Sequence, residues 1–444
     1  MIRVCEESLE QLKLAGINVF SYSRKALQPK WLHVGVGAFH RSHQALLASK
    51  ANNLGANFGI VGFEFLSVDV CEKLKLQDFL YTVTELDPVN PQTWLSGSIV
   101  SVSCDIDKFV SLLAKDSTEI VTLTITPSGY FFDASGNFDW ERYQTGKDFC
   151  IYPYILEGLK IRQESGGKSL IFIPCDNVFQ NGAVFYRCLT EFAERSRVLS
   201  RDSIASIIVC ASSVVDRITP QPNEEFIKHF LESKGIRDSS PVFCEKYCSW
   251  IIESKAKERL SEFEDLPEVK FVASIEMYER QKLYVLNLGH FVVGVLGKLF
   301  GKEFCHEVVE DPRLWVFLER IIFYEVFPAV GLLEEKGAYQ YAYDCIQRFK
   351  NTSLRDPVDR LRRRPEEKLK NLILPCLNVS KIKHARNNNL CLFVAACLAE
   401  AELLGLSANF RWETFVSEEV RDKIVTKVNL INQVGLERAI MSEL

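Results

Sequence analysis

The chain has 444 residues, with 53 Lys or Arg against 58 Asp or Glu, a formal net charge of −5. Hydrophobic residues make up 47%, enough for sizeable cores, and the length implies two or three domains. The mixed, mildly acidic charge lacks the polybasic footprint of a nucleic-acid binder. The first residues, MIRVCEESLEQLKLAG, lack the apolar core of a signal peptide. The longest apolar run, taken as Ser203–Val215, is too short to cross a bilayer as a helix and reads as a buried strand. A cytoplasmic protein without membrane contact is expected, a monomer or a small homo-oligomer. The 14 cysteines are scattered, and Cys210, Cys391 and Cys397 sit in apolar runs, as free core thiols of a reducing compartment do. Cys244, Cys248 and His229 make only a loose ligand set with no second cysteine pair, so no metal is expected.

In chain order, WLHVGVG (Trp31 to Gly37) predicts a strand ending in glycines, and a helical pattern follows from His40 to about Ala51. FGIVGFEF (Phe58 to Phe65) predicts the next strand and VDVCEKLKLQ (Val68 to Gln77) the next helix. FLYTVTEL, GSIVSVS, EIVTLTIT, SLIFIP and SIIVCASSVV add further strands. Strands alternating with helices predict an open, mainly parallel sheet covered on both faces. From about Val272 the pattern turns helical, with the long periodic segments WVFLERIIFYEVFPAVGLLEE and NLCLFVAACLAEAELLGL. The expected architecture is α/β: a doubly wound sheet domain over residues 1–270, then a mainly α-helical domain over 271–444.

HVGVGAFHRSHQA places Gly35 and Gly37 where the first strand passes into a helix. Gly35 can make a tight turn, and Gly37 can let a pyrophosphate approach the N–H groups of the helix start, Ala38 and Phe39. The third glycine of the dinucleotide fingerprint is replaced by His40, and a Gly-x-Gly at a strand end serves equally well as a plain turn. Glu64 falls near the tip of the second strand, where a carboxylate accepts from ribose hydroxyls and repels a 2′-phosphate, which favours NAD over NADP. Asp69 is the rival if that strand ends later, and an ordinary solvated strand end is the alternative for Glu64. His33 lies inside the strand as a core residue, while His40 and His43 pack from the helix.

QKLYVLNLGH (Gln281 to His290) sets Lys, Asn and His into an apolar stretch. On a uniform α-helix Glu279, His290 and Asn287 project about 60°, 80° and 140° from Lys282, within one arc. Oxidation of a secondary alcohol needs a base for the hydroxyl proton and donors for the alkoxide, and a lysine, an asparagine and a histidine supply these. A solvated Lys282 with Asn287 and His290 bridging helices is the plain structural alternative.

Taken together, these segments resemble the polyol-specific long-chain dehydrogenases, the family of mannitol 2-dehydrogenase and of fructuronate, tagaturonate and arabinitol enzymes. VGVGAFHRSHQA, QDFLYTV, TLTITPSGY, PCDNVFQNG, VVDRITP, KLYVLNLGH and RFKNTSLRD match its signatures in order through most of the chain. The resemblance implies a Rossmann domain followed by a helical domain, nicotinamide chemistry and no catalytic metal. It implies Lys282 as general base, Asn177 and Asn287 as the oxyanion hole, His290 on substrate hydroxyls and Glu279 as a proton gate. Asp216 would line the cleft, Arg360 and Lys368 would bind substrate, and Thr126 would lie with Gly35, Gly37, Ala38, Phe39 and Glu64 along the cofactor.

Some positions depart from the family pattern. Pro127 and Ser128 stand where Glu and Lys are usual, Pro174 replaces a Ser before CDN, and RLRRRPEEK lacks an Asp-Gly turn. The basic run Arg362–Arg364 is either an anion site or a solvated helix face. The expected activity is NAD-dependent interconversion of a secondary alcohol and a ketone on an open-chain sugar alcohol or sugar acid. Mannitol-like and hexuronate-reductase substrates both remain open, and a catalytically weakened nucleotide-binding sensor is the alternative from another class.

Overall fold

Short runs rich in Val, Ile and Phe become the strands of one parallel sheet. They are β1 (Gln28–Val34), β2 (Phe58–Phe63), β3 (Ile99–Ser103), β4 (Ile120–Leu123), β5 (Leu170–Pro174) and β6 (Ile208–Cys210). The order across the sheet is β3-β2-β1-β4-β5-β6, with every pairing parallel. The direction of winding reverses beside β1, which makes the carboxyl end of β1 the switch point of a doubly wound dinucleotide fold. Our computed structural model describes residues 1–133, 135–378 and 387–443.

Alternation along the strands explains why both faces are covered. Leu32 and Val34 of β1 join Phe63, Leu123 and Phe172 in one core, against Leu159 and Phe185. Trp31 points the other way and joins Ile60, Ile120, Ile171, Leu47 and Trp250 in a second core. Smaller sheets flank this one: Ser213–Asp216, Ser249–Glu253 and Val269–Val272 form one, and Tyr81–Leu86 pairs with Gln92–Ser96 and Val242–Glu245 in another.

Two local expectations change. Ser203–Val215 is not one strand: Arg201–Ile207 is helical, and Ile208–Cys210 and Ser213–Asp216 belong to different sheets. Ser200 starts that helix by accepting from the Ser203 N–H, a cap that an apolar-run reading overlooks. The helix after β1 is also divided, into Ala38–Ser42 and Gln44–Asn53, with His43 at φ −113°, ψ −93° between them.

The chain separates into two compact units, Met1–Glu276 and Met277–Leu444. The second is helical and built around one core that includes Phe291, Val292, Leu296, Phe317, Ile321 and Phe393. Its first long helix runs from Glu276 to Leu299 and is apolar and long enough, by length and composition alone, to cross a membrane. It is therefore a longer apolar stretch than Ser203–Val215. Most of its apolar window (61%) is buried within the protein. Gly294 and Gly297 let a neighbouring turn, Val358–Leu361, approach it closely. A Cβ on Gly294 would lie 2.8 Å from Leu361 Cβ, and one on Gly297 would lie 2.4 Å from Val358 Cγ1.

Candidate active site

The glycine turn of the first unit is fixed by the strands around it. Gly35 has φ +95°, and a Cβ there would sit 2.3 Å from the Thr124 carbonyl oxygen, so only glycine fits. Its N–H donates to the Phe63 carbonyl at 2.8 Å, and its own carbonyl accepts from Thr124 Oγ1 at 2.7 Å. Gly37 is exposed and caps the helix Ala38–Ser42 without a side-chain hydrogen bond to the first turn. A Cβ on Gly37 would meet nothing within 4 Å. The N–H groups of Ala38 and Phe39 thus begin a helix whose end is open to an anion, and the donor set suits a pyrophosphate.

Under the turn, two imidazoles occupy the space that a third glycine usually leaves for close helix–strand packing. His33 and His40 stack with ring centroids 3.3 Å apart and planes 10° from parallel. His33 bonds Thr122 Oγ1 through Nδ1 (2.7 Å), while its Nε2 lies 2.9 Å from the Gly35 carbonyl. It is the satisfied core residue that its strand position predicts. Burial lowers the His33 pKa to about 3, and burial followed by the charge of His33 holds His40 well below the usual value. Both rings are neutral near pH 7.

Glu64 follows the last residue of β2, half-buried, with its N–H on the Ser103 carbonyl (3.1 Å) and Oε1 accepting from the Leu66 N–H (3.2 Å). Asp69 lies on the following helix in an ion pair with Lys73 (2.7 Å). The strand-tip position therefore belongs to Glu64. Thr126 adopts φ +63° at the end of β4, and its N–H donates to Asp176 Oδ1 (2.8 Å). Asp176 also accepts from the Ile125 N–H (3.0 Å) and the Tyr130 hydroxyl (2.9 Å). Desolvation pushes its pKa up to about 6. Asp176 thus ties the loop after β4 to the loop that carries Asn177. Its place inside CDN was the one signal available in the sequence. Asn177 is exposed on that loop, and the neighbouring Asn181 anchors it by donating to the Asp176 (3.0 Å) and Ser213 (2.8 Å) carbonyls. Asp216 is buried at the end of its strand, paired in register with Ser249.

In the second unit the lysine stretch departs from a uniform α-helix. Glu276–Gln281 is α-helical, Lys282–Asn287 is π-helical, and Leu288–Leu299 is α-helical again. The Leu288 N–H reaches back to the Leu283 carbonyl, five residues earlier. A π turn holds more residues than an α turn, so Lys282 and Asn287 stand closer to one face than the roughly 140° of a uniform α-helix. This corrects the projection made from the sequence. The turn packs against two further π segments, Arg320–Val326 and Leu369–Ile373. Lys282 and Asn287 are half-buried and Glu279 is buried.

His290 lies one turn beyond Asn287, its ring 4.5 Å from that of Phe349. Burial, followed by Arg360, Arg348 and Lys368, holds its pKa well below the usual value, so the ring is a neutral donor–acceptor. Its buried Nε2 makes no hydrogen bond among the described residues. Arg360 is held by Asp356 through Nε (2.6 Å) and through Nη2. Lys368 donates to the Leu361 carbonyl and lies 5.7 Å over the Phe291 ring. Burial, then Arg360 and Arg364, lower the Lys368 pKa to about 8. Arg348 is buried beside this group and was not singled out from the sequence, although it lies in RFKNTSLRD. In the basic run, Arg362 pairs with Asp359 (2.7 Å) and Arg364 with Glu367 (3.2 Å), the arrangement of a solvated face. Among the described residues no group of three or more His, Cys, Asp or Glu is placed to hold a metal ion.

Comparison with known proteins bears on the same segments. Residues 29–264 match the mannitol dehydrogenase Rossmann domain and residues 274–400 the mannitol dehydrogenase C-terminal domain. Mannitol 2-dehydrogenase of Aspergillus clavatus is 30% identical, over 89% of this chain and 83% of its own length. Mannitol dehydrogenase 2 of Saccharomyces cerevisiae is 28% identical, over 80% of this chain and 74% of its own. The fold matches that of Pseudomonas fluorescens mannitol 2-dehydrogenase, solved as a ternary complex with NAD and D-mannitol. That match has a TM-score of 0.85 over 99% of both chains at 23% identity. A Rossmann sheet switched at β1, a helical second unit and family matches across both make this chain a member of the mannitol dehydrogenase family of oxidoreductases.

Proposed function

We propose that this protein is an NAD-dependent dehydrogenase that interconverts a secondary alcohol and a ketone on an open-chain polyol, with Lys282 as general base in place of a metal-bound water. The alignment of Lys282 and Asn287 on one π turn, followed by a neutral His290, carries this reading. The nicotinamide, when bound, supplies or accepts the hydride. Gly35 and Gly37 shape the turn for its pyrophosphate, Ala38 and Phe39 supply N–H groups, Glu64 accepts from a ribose hydroxyl, and Thr126 borders the path beyond.

The chain's own work is proton and oxygen management. In the direction of oxidation Lys282 Nζ takes the hydroxyl proton. The side-chain amide of Asn287 donates to the oxygen as its charge grows. Neutral His290 orients a neighbouring hydroxyl through Nε2, and buried Glu279 relays the proton from Lys282 toward solvent. Arg360 and Lys368 hold the rest of the substrate. General-base catalysis of this kind contributes roughly 10²–10⁴-fold.

One observation favours a second substrate class. Arg348, Arg360 and Lys368 are all close enough to His290 to depress its pKa, and three cations suit a substrate carboxylate. A hexuronate such as fructuronate or tagaturonate would present one. NADH oxidation measured in parallel with fructose, fructuronate and tagaturonate, with and without a chelator, tests both. Turnover of fructose that survives chelation supports the first reading, and preference for a uronate supports the second. NADH binding without turnover of any of them leaves a nucleotide-binding sensor and ends the enzyme reading.

A further inference from the structure

Two thiols meet beside Glu64. Cys71 lies on the helix Val68–Lys75, and Cys104 directly follows β3, ahead of Asp105, which caps the helix Ile106–Ala114. Their sulfurs are 2.8 Å apart, against about 2.05 Å in a formed disulfide. Cys71 Sγ also reaches the Glu64 carbonyl at 4.0 Å, and the Glu64 N–H donates to the Ser103 carbonyl at 3.1 Å. The thiol pair and the strand-tip carboxylate therefore share one ridge, at the carboxyl ends of β2 and β3. Cys71 is buried and Cys104 is half-buried, so a small oxidant reaches Cys104 first. The other half-buried cysteine, Cys5, faces the Ser8 hydroxyl at 3.1 Å. Burial, then the hydrogen bond with Cys104, pushes the Cys71 thiol up to about 12, so Cys71 is not the sulfur on which a peroxide acts first.

We propose that Cys71 and Cys104 form a redox-active dithiol, and that its oxidation by a peroxide to an intramolecular disulfide weakens NADH binding from the ribose side. The coupling to NADH rests on the nucleotide reading given above. Cys104 sulfur attacks one peroxide oxygen, the O–O bond breaks, and a sulfenic acid and water result. Cys71 sulfur then attacks the sulfenic sulfur, the S–S bond forms, and a second water leaves. The peroxide gains two electrons, the two thiols lose two, and both thiol hydrogens depart in the waters. Cys71 has then lost the S–H that faced the Glu64 carbonyl, and its helix is drawn toward β3. The Glu64–Leu66 turn loses a tether on the side where the ribose is held.

The test uses the full chain, reduced, desalted and treated with hydrogen peroxide. Non-reducing peptide mapping should find Cys71 joined to Cys104, and NADH titration should show Kd raised about threefold or more, reversed by dithiothreitol. Cys71→Ser and Cys104→Ser should lose both responses, and Cys5→Ser should keep both. The wild-type measurement stands alone if a serine variant misfolds. Free thiols at both positions after treatment overturn the proposal, as does a formed disulfide with unchanged NADH Kd. If the reduced chain does not bind NADH, the nucleotide reading and the coupling both fall, while the peptide map still decides the dithiol.

Discussion

The two units prepare polar groups inside apolar surroundings by different means. In the first unit the backbone carries the preparation: Gly35 at positive φ, a bare helix start at Gly37, and carbonyls and hydroxyls of β1 and β4 locked together by His33 and Thr124. In the second unit side chains carry it, lined up along one helix by a change in hydrogen-bond register. A backbone device tolerates no side chain at a position such as Gly35, where a Cβ has nowhere to go. A side-chain device tolerates changes of shape but fails when one functional group is removed.

Lys282→Ala should separate the two devices most sharply. Turnover should fall roughly 10²–10⁴-fold with NADH Kd changed less than about twofold, measured by steady-state rates and fluorescence titration. A variant that keeps its rate would remove the lysine from the chemistry. Gly35→Ala is the opposite case. Its Cβ would lie 2.3 Å from Thr124 O, so a loss of about 2–4 kcal/mol in urea unfolding and failure to bind NADH are expected. Normal stability in this variant would refute the locked turn.

The stacked imidazoles give a third, pH-dependent test. His33 titrates near 3 in the fold and near 6.5 when unfolded, so between these values the unfolded chain binds more protons. Stability is fully present above pH 6.5 and is lost as pH falls toward 3. At pH 5 a buried histidine titrating near 3 costs about 2 kcal/mol of stability. His40→Phe keeps a ring against His33 and removes the second buried histidine. Its difference in stability between pH 7 and pH 5 should shrink, and an unchanged slope would mean that His40 is charged in the fold. The smallest effect concerns Lys368. Its ammonium, lowered to about 8, is lost as pH rises through that value, so substrate KM should climb roughly tenfold above it. Lys368→Arg should move the inflection upward, whereas an inflection unmoved by that change would assign it to another group.

Much of the first unit was legible because strand periodicity and turn chemistry are local. The alternation of Trp31, Leu32 and Val34 already separates two cores, and a glycine pair at a strand end already marks the switch point. The divided helix at His43 escaped notice, since nothing in a run of helix-compatible residues announces a break that neighbours impose. The Asp176 tether escaped because it joins residues 50 positions apart, and the thiol pair because its members are 33 apart.

Local patterns in the chain were enough for the class of fold and for the glycine turn at the end of β1, because hydrophobic period and glycine placement act over a few neighbours. Which side chains of the Lys282 stretch approach one face depended on packing between distant segments. A helical apolar pattern fits an α or a π register almost equally well, and the register at Lys282 is set where Arg320–Val326 and Leu369–Ile373 press against it. Burial likewise decided the charge of His290 and His40, since an imidazole's protonation depends on the solvent it loses and on the cations the fold brings near it.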